Sequence, residues 1–185
     1  MIGVDTRGLQ EAVKTIKSTE DTVTKAYYSA VNRVAQRVKT ESGRKVRQVY
    51  QVRSQDVNGK AILRRGSARN MNAELRWKGN NLPLIKFRTN PQRVPDKPPR
   101  VLKAAVKRTG MKPVKGAFVT KVGSGGHVGV FRRVGRSRLP IQELYGPAVP
   151  VMLNEPGVVE HLETVAQEEM QKRFDHELKR RGITT

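Results

Sequence analysis

The chain has 185 residues, is 36% hydrophobic and carries 37 Lys and Arg against 16 Asp and Glu, a net charge of +21. That length suits one domain with a lean core of Val, Leu, Ile and Ala, because aromatics make up only 5%. The absence of Cys excludes disulfides and thiolate metal sites, and no stretch approaches the roughly 18 apolar residues of a membrane span.

The opening MIGVDTRGLQ lacks the apolar run of an export signal, so the expectation is cytoplasmic synthesis without standard export. Positions 4–17 can form a short helix with Leu9, Val13 and Ile16 on one face. Asp21 or Thr22 can cap a second, longer helix. Its apolar positions run Val23, Tyr27, Ala30, Val31, Val34, Val38, then Val46 and Val49, with a lapse at Ser42-Gly43. Glycine costs roughly 1 kcal/mol against Ala inside a helix, so a kink or break is expected there. Ser54 is a further candidate cap for a turn of helix through Asn58.

From about position 61 the periodicity becomes that of strands. Ala73, Leu75 and Trp77 alternate with Glu74, Arg76 and Lys78. A turn at 79–81 then leads to LPLIKFR at 82–88 as the expected partner strand, with Pro83 at an edge or start. Four prolines within 89–100 predict an extended, poorly packed loop. Positions 101–109 read as a strand with Val101, Lys103, Ala105 and Lys107 on one face. Strands at 114–122 and 127–134 flank Gly123-Ser124-Gly125-Gly126, a hairpin signal because glycine accepts positive φ. Positions 139–151 are apolar and hold Pro140, Pro147 and Pro150, which predicts an extended crossing segment. A last helix is expected with Asn154 as cap, Pro156 in its first turn and Gly182 as its stop. Its apolar face is Val159, Leu162, Val165, Ala166, Met170, Phe174 and Leu178.

The expected fold is therefore α+β, with N-terminal helices and a C-terminal helix packed on a mainly antiparallel sheet of five or six strands. One domain spans 1–185: a helical part at 1–59, a basic β-rich part at 60–153 and a terminal helix at 154–182.

Nothing in the chain has the spacing of a catalytic or metal motif. His161 and His176 are too far apart on their helix for one metal, and HExxH, GxxxxGK[ST] and GxSxG are missing. Glu160, Glu163, Glu168, Glu169, Asp175 and Glu177 crowd the last helix, where a solvated or partner-facing surface is expected rather than a two-metal site. No enzyme activity, cofactor or small-molecule substrate is expected, and no membrane partner.

The charge is the informative feature. Between positions 57 and 142 there are 21 Lys and Arg against Glu74 and Asp96, a local net of +19. Such a field destabilises a free domain through self-repulsion, so it implies a polyanion or acidic protein surface in the working state. Three clusters are candidates for that contact: Arg64, Arg65 and Arg69; Arg100, Lys103, Lys107, Arg108 and Lys112; and Arg132, Arg133, Arg136 and Arg138. Phosphate neutralisation by such groups is salt-dependent and sequence-blind. No base-reading motif accompanies them, and Trp77, Phe87, Phe118 and Phe131 sit at expected inward positions rather than on a stacking platform.

The segments AVNRVA at 30–35, LPLIKF at 82–87, KGAFV at 115–119 and RLPIQELYGPAVP at 138–150, in that order, resemble minor tail protein Z of long-tailed bacteriophages, a family also described as the tail completion protein. The resemblance runs from about residue 8 to residue 175, and LYGPAVP after a basic hairpin is its most specific piece. It implies a structural virion protein that finishes the head-proximal end of the tail and supports head–tail joining, as a homo-oligomeric ring of six copies. The implied partners are the tail tube or terminator and neck proteins, and the phage DNA terminus. By match to the shared segments, Asn32, Arg33, Pro83, Pro140, Tyr145, Gly146 and Pro147 are fold or interface positions. Leu139, Pro140, Tyr145, Gly146, Pro147 and Pro150 are the expected subunit or tail contacts. A nonspecific nucleic-acid-binding protein, or another neck or connector protein of the same particle, are the rival readings.

Overall fold

The computed structural model describes residues 7–97, 99 and 101–183, with side chains from residue 17 onward. Helix α1 (Arg7–Val49) leads to α2 (Ser54–Asn58), β1 (Ala61–Arg64), β2 (Glu74–Trp77) and β3 (Asn81–Pro83). A 3-10 turn (Leu84–Lys86) precedes β4 (Arg88–Asn90), β5 (Leu102–Ala105), β6 (Lys112–Val114), β7 (Ala117–Val122) and β8 (His127–Arg133). Strands β9 (Ile141–Glu143) and β10 (Tyr145–Ala148) are followed by α3 (Val149–Leu153) and α4 (Val159–Arg180). The chain divides into a helical unit (1–38, 63–75 and 163–185) and a β-rich unit (39–62 and 76–162).

The two expected N-terminal helices are one helix of 43 residues. The expected face of Leu9, Val13 and Ile16 lies outside the described side chains. Gly43 does not break the helix, because α2 packs directly onto it. A Cβ at Gly43 would stand 2.5 Å from Asn58 Oδ1, and Ser54 Oγ donates to the Gly43 carbonyl at 3.3 Å. Ser54 is thus the first residue of α2 rather than its cap, which is Arg53. Tertiary packing outweighs the local propensity cost.

In the helical unit, Ala26, Ala30 and Val34 of α1 and Leu178 of α4 are buried. Tyr27 meets Phe174 edge-to-face at 6.0 Å, a geometry that matches ring edge to ring face. Glu177 is also buried, at 1% exposure, so it leaves the solvated face expected for the acids of this helix. Helix α4 starts later than expected: Pro156 precedes it, and Glu160 Oε2 accepts from the Gly157 N–H at 2.8 Å. Asn154 closes α3 instead, and Val158 is buried where Val159 was expected. Gly182 at φ +78° ends the helix as expected, with Ile183 N–H donating to Leu178 O at 3.1 Å.

In the β-rich unit, the core gathers Val46, Val57, Phe87, Leu102, Val130 and Met152. Its strands form small sheets rather than one of five or six: β4-β5-β6, β7-β8-β9 and β10-β3. All three are antiparallel. Proline explains the fragmentation, since it removes ladder donors. LPLIKFR does not pair with β2, whose neighbour is β1. Only Asn81–Pro83 is strand, paired to β10. Leu82, Leu84 and Phe87 all point inward, a spacing that a single strand cannot bury on one side.

The 123–126 hairpin is present as expected, with Gly123 at φ +72°, Gly126 at φ +69° and Gly126 N–H donating to Gly123 O at 3.1 Å. The expected strand at 101–109 shortens to β5, where Lys103 is exposed and Ala105 buried. The crossing segment is not a free strap: it supplies β9, β10 and α3, and Val149, Met152 and Leu153 enter the core.

Candidate assembly interface

Helix α1 reaches its end among the strands. Tyr50 bridges to Lys107, and Gln51 N–H donates to Val106 O at 2.9 Å. Arg108 completes the terminus: its backbone N–H meets Val49 O at 2.9 Å and its Nε meets Arg47 O at 2.6 Å. A cation on orphan carbonyls at a helix C-terminus is favourable on both hydrogen-bonding and dipole grounds. Lys107 Nζ lies 2.5 Å from Glu155 Oε1, and Tyr50 Oη donates to Glu155 Oε2 at 2.6 Å. Burial first, then the Glu155 bond, pushes the Tyr50 phenol up to about 12. The Lys107 and Tyr50 bonds hold the Glu155 carboxyl below its ordinary value. Lys107 and Arg108 are therefore committed to the fold.

The other expected contact residues fall into two groups. Arg64 pairs with Glu74 at 3.6 Å, with both side chains well exposed, so the pair contributes little. Arg65 and Arg69 follow on a loop that Asn32 holds: Asn32 Nδ2 donates to Gly66 O at 2.9 Å and Oδ1 accepts from Gly66 N–H at 2.8 Å. This first cluster belongs to the helical unit. Lys103 and Lys112 lie on β5 and β6, and Arg132 and Arg133 end β8. Arg136 and Arg138 occupy the β8–β9 tip. Arg133 stacks over the Phe118 ring at 5.6 Å. Arg65, Arg69, Lys103, Lys112, Arg132, Arg136 and Arg138 are exposed and have no carboxylate partner among the described residues. Arg100 lies outside the described residues.

Among the expected subunit contacts, Leu139 is 65% and Tyr145 52% exposed, and Pro140 and Pro150 are on the surface. Pro150 sits in the first turn of α3, not in an extended strap. Gly146 and Pro147 are half-buried, and the Phe87 ring lies against the Gly146 backbone. Phe87 and Phe131 are buried as expected, while Trp77 and Phe118 are half-buried.

Two residues were not anticipated. Glu143 accepts from Tyr145 Oη at 2.9 Å and meets His127 Nε2 at 2.8 Å. That bond raises the Tyr145 phenol above its ordinary value. The available signal was the i, i+2 spacing of Glu143 and Tyr145, which puts both on one side of an extended chain. Glu177 is held by Arg33 at 3.4 Å, by Arg180 at 3.7 Å and by Arg181. The Arg181 bond first, against desolvation, keeps its carboxyl below the ordinary value. Its burial had no sequence signal, because its helix is acidic on several sides.

Among the described residues no three His, Cys, Asp or Glu side chains gather where they could hold a metal ion. None of the described helices is long and apolar enough to cross a membrane. What the surface offers is unpaired cations and exposed apolar side chains on a braced scaffold, which suits binding.

The profile of the family described as prophage minor tail protein Z (GPZ) matches residues 6–183. The chain belongs to that family. No curated protein and no solved structure matches it. Membership makes the chain a structural component of a phage tail, located in the virion tail among other tail proteins. A minor tail protein family speaks for a structural rather than an enzymatic role.

Proposed function

We propose that the protein completes the head-proximal end of the tail and makes it competent to join a DNA-filled head. It acts there by binding, as a single tail-completion domain repeated in a ring of six copies. The observation that carries this reading is the set of partnerless cations on β5, β6 and the β8–β9 tip. They add nothing to the fold and repel one another, so a negative surface must meet them in the particle. Tail tube, terminator or neck proteins, the DNA terminus, or a neighbouring copy in the ring supply that surface. Leu139, Pro140 and Tyr145 add apolar contact area beside the cations.

Phage lacking the protein should build tails of normal length and filled heads that stay apart, and added protein should restore joining. Joined, infectious particles without it would overturn the reading. Binding of purified protein to duplex DNA at about 50 mM salt, where nonspecific binders are strong, distinguishes the DNA end from an acidic protein neighbour.

A further inference from the structure

Two unmatched surface features complement each other. The first is an open apolar groove of about 580 Å3 in the helical unit. Val31, Ala35 and Val38 of α1, Leu75 of β2, and Ala166 and Met170 of α4 line it. Gln167 and Gln171 also line it, and Glu163 lies one helical turn before Gln167 on the same row. Glu163, Glu168 and Asp175 have no ion-pair partner among the described residues, although the chain carries a net +21.

The second feature is the β8–β9 tip in the β-rich unit. Val134 and Leu139, at 66% and 65%, are the most exposed large apolar side chains among the described residues. Val134 N–H donates to Pro140 O at 3.1 Å and closes the tip. Arg136 and Arg138 stand between them, exposed.

We propose that this tip, residues 134–140, seats in the α1–α4 groove of a second copy. Leu139 enters the groove, and Arg136 and Arg138 face the free carboxylates of α4. The choice of occupant follows from charge. Two copies of so cationic a chain repel each other, so a contact between copies must bring opposite signs together. Glu163 of α4 and the tip arginines are free charges of opposite sign that sit beside apolar surface. Tip and groove are different patches, so the contact is heterologous: each copy gives one and accepts one, and repetition closes a ring or extends a filament. A loop tip in a groove covers less than the roughly 1,600 Å2 of a standard interface. Single contacts are therefore weak, and closure depends on copies being held side by side. The inference rests on the oligomeric role proposed above and names its surface.

Because the chain has no cysteine, Leu139→Cys combined with Gln167→Cys puts one thiol on each side of the contact. Both sites are exposed, and circular dichroism checks the fold. The full-length double variant is oxidised in completed tails and as concentrated soluble protein. A ladder of covalent dimers, trimers and larger species that needs both cysteines is expected. Monomer alone in both preparations, including an intrachain disulfide, would overturn the contact. A second pair of variants, Leu139→Asp and Ala166→Arg, should each lose self-association, while an equal mixture should form dimers and nothing larger; larger species in the mixture would contradict a head-to-tail contact. Tail content is scored separately. Normal amounts in tails with no ladder would sink the contact and leave the tail-end role. A ladder in solution with no protein in tails would do the reverse.

Discussion

The helical unit carries 14 Lys and Arg against 10 Asp and Glu, whereas the β-rich unit carries 23 against 6. In the first, part of the charge is spent inside the fold: one buried carboxylate gathers three arginines. In the second, an apolar core of Phe87, Leu102, Met152 and their neighbours holds the strands, and most of the described cations have no ion-pair partner within the chain. The contrast separates charge that builds a protein from charge that awaits a partner. Only the second kind should be removable without loss of stability.

Substitutions can break or sharpen that contrast. Phe87→Ala empties the centre of the β-rich core, where Phe87 is 1% exposed, and should cost about 3–5 kcal/mol, read as a lower denaturant midpoint. Glu177→Gln should cost about 1–3 kcal/mol, because it removes the charge-assisted bond to Arg181 and leaves a neutral amide buried in its place. The same variant has a pH signature. A carboxyl with a lowered folded pKa stabilises above its ordinary pKa, and that stability is lost as pH falls through the folded value. Acid unfolding of the wild type should therefore steepen below about pH 4.3, and the variant should lose that limb.

Asn32→Ala removes both bonds to Gly66 and should cost about 1–3 kcal/mol, with faster hydrogen exchange at Gly66. Tyr50→Phe should cost about 1 kcal/mol. The raised Tyr50 phenol contributes stability below its unfolded pKa of about 10, lost as pH rises toward about 12. Spectrophotometric titration should show the ionisation near pH 12 in the wild type and its loss in the variant, with the raised Tyr145 phenol retained in both. At the small end, Arg136→Gln should leave stability within about 0.5 kcal/mol.

Much of the helical pattern was legible because apolar residues recur at 3.6 along α1 and α4, and because Gly182 and the 123–126 glycines have backbone roles that show locally. The strand pairing was not legible. Short strands carry little periodicity, and Pro83 at a strand end hides whether the next residues continue or turn inward, as Leu84 and Phe87 do. Continuity of α1 through Gly43 depends on Asn58, which no local pattern links to it. The cationic clusters were readable as charge. Their sorting into committed residues (Lys107 and Arg108) and free ones (Lys103, Arg136 and Arg138) required knowing where α1 ends and where Glu155 lies.

The central claim is that the free cations of the β8–β9 tip serve contacts outside the chain. The most direct measurement replaces the tip's Arg136 and Arg138, together with Arg132 beside it at the end of β8, by Gln and leaves Arg133 on the Phe118 ring, then follows melting temperature and head–tail joining in the same preparation. The account predicts an unchanged or slightly higher melting temperature, with normal tails and filled heads that do not join. Infectious particles at the wild-type level, or a protein that no longer folds, would contradict it.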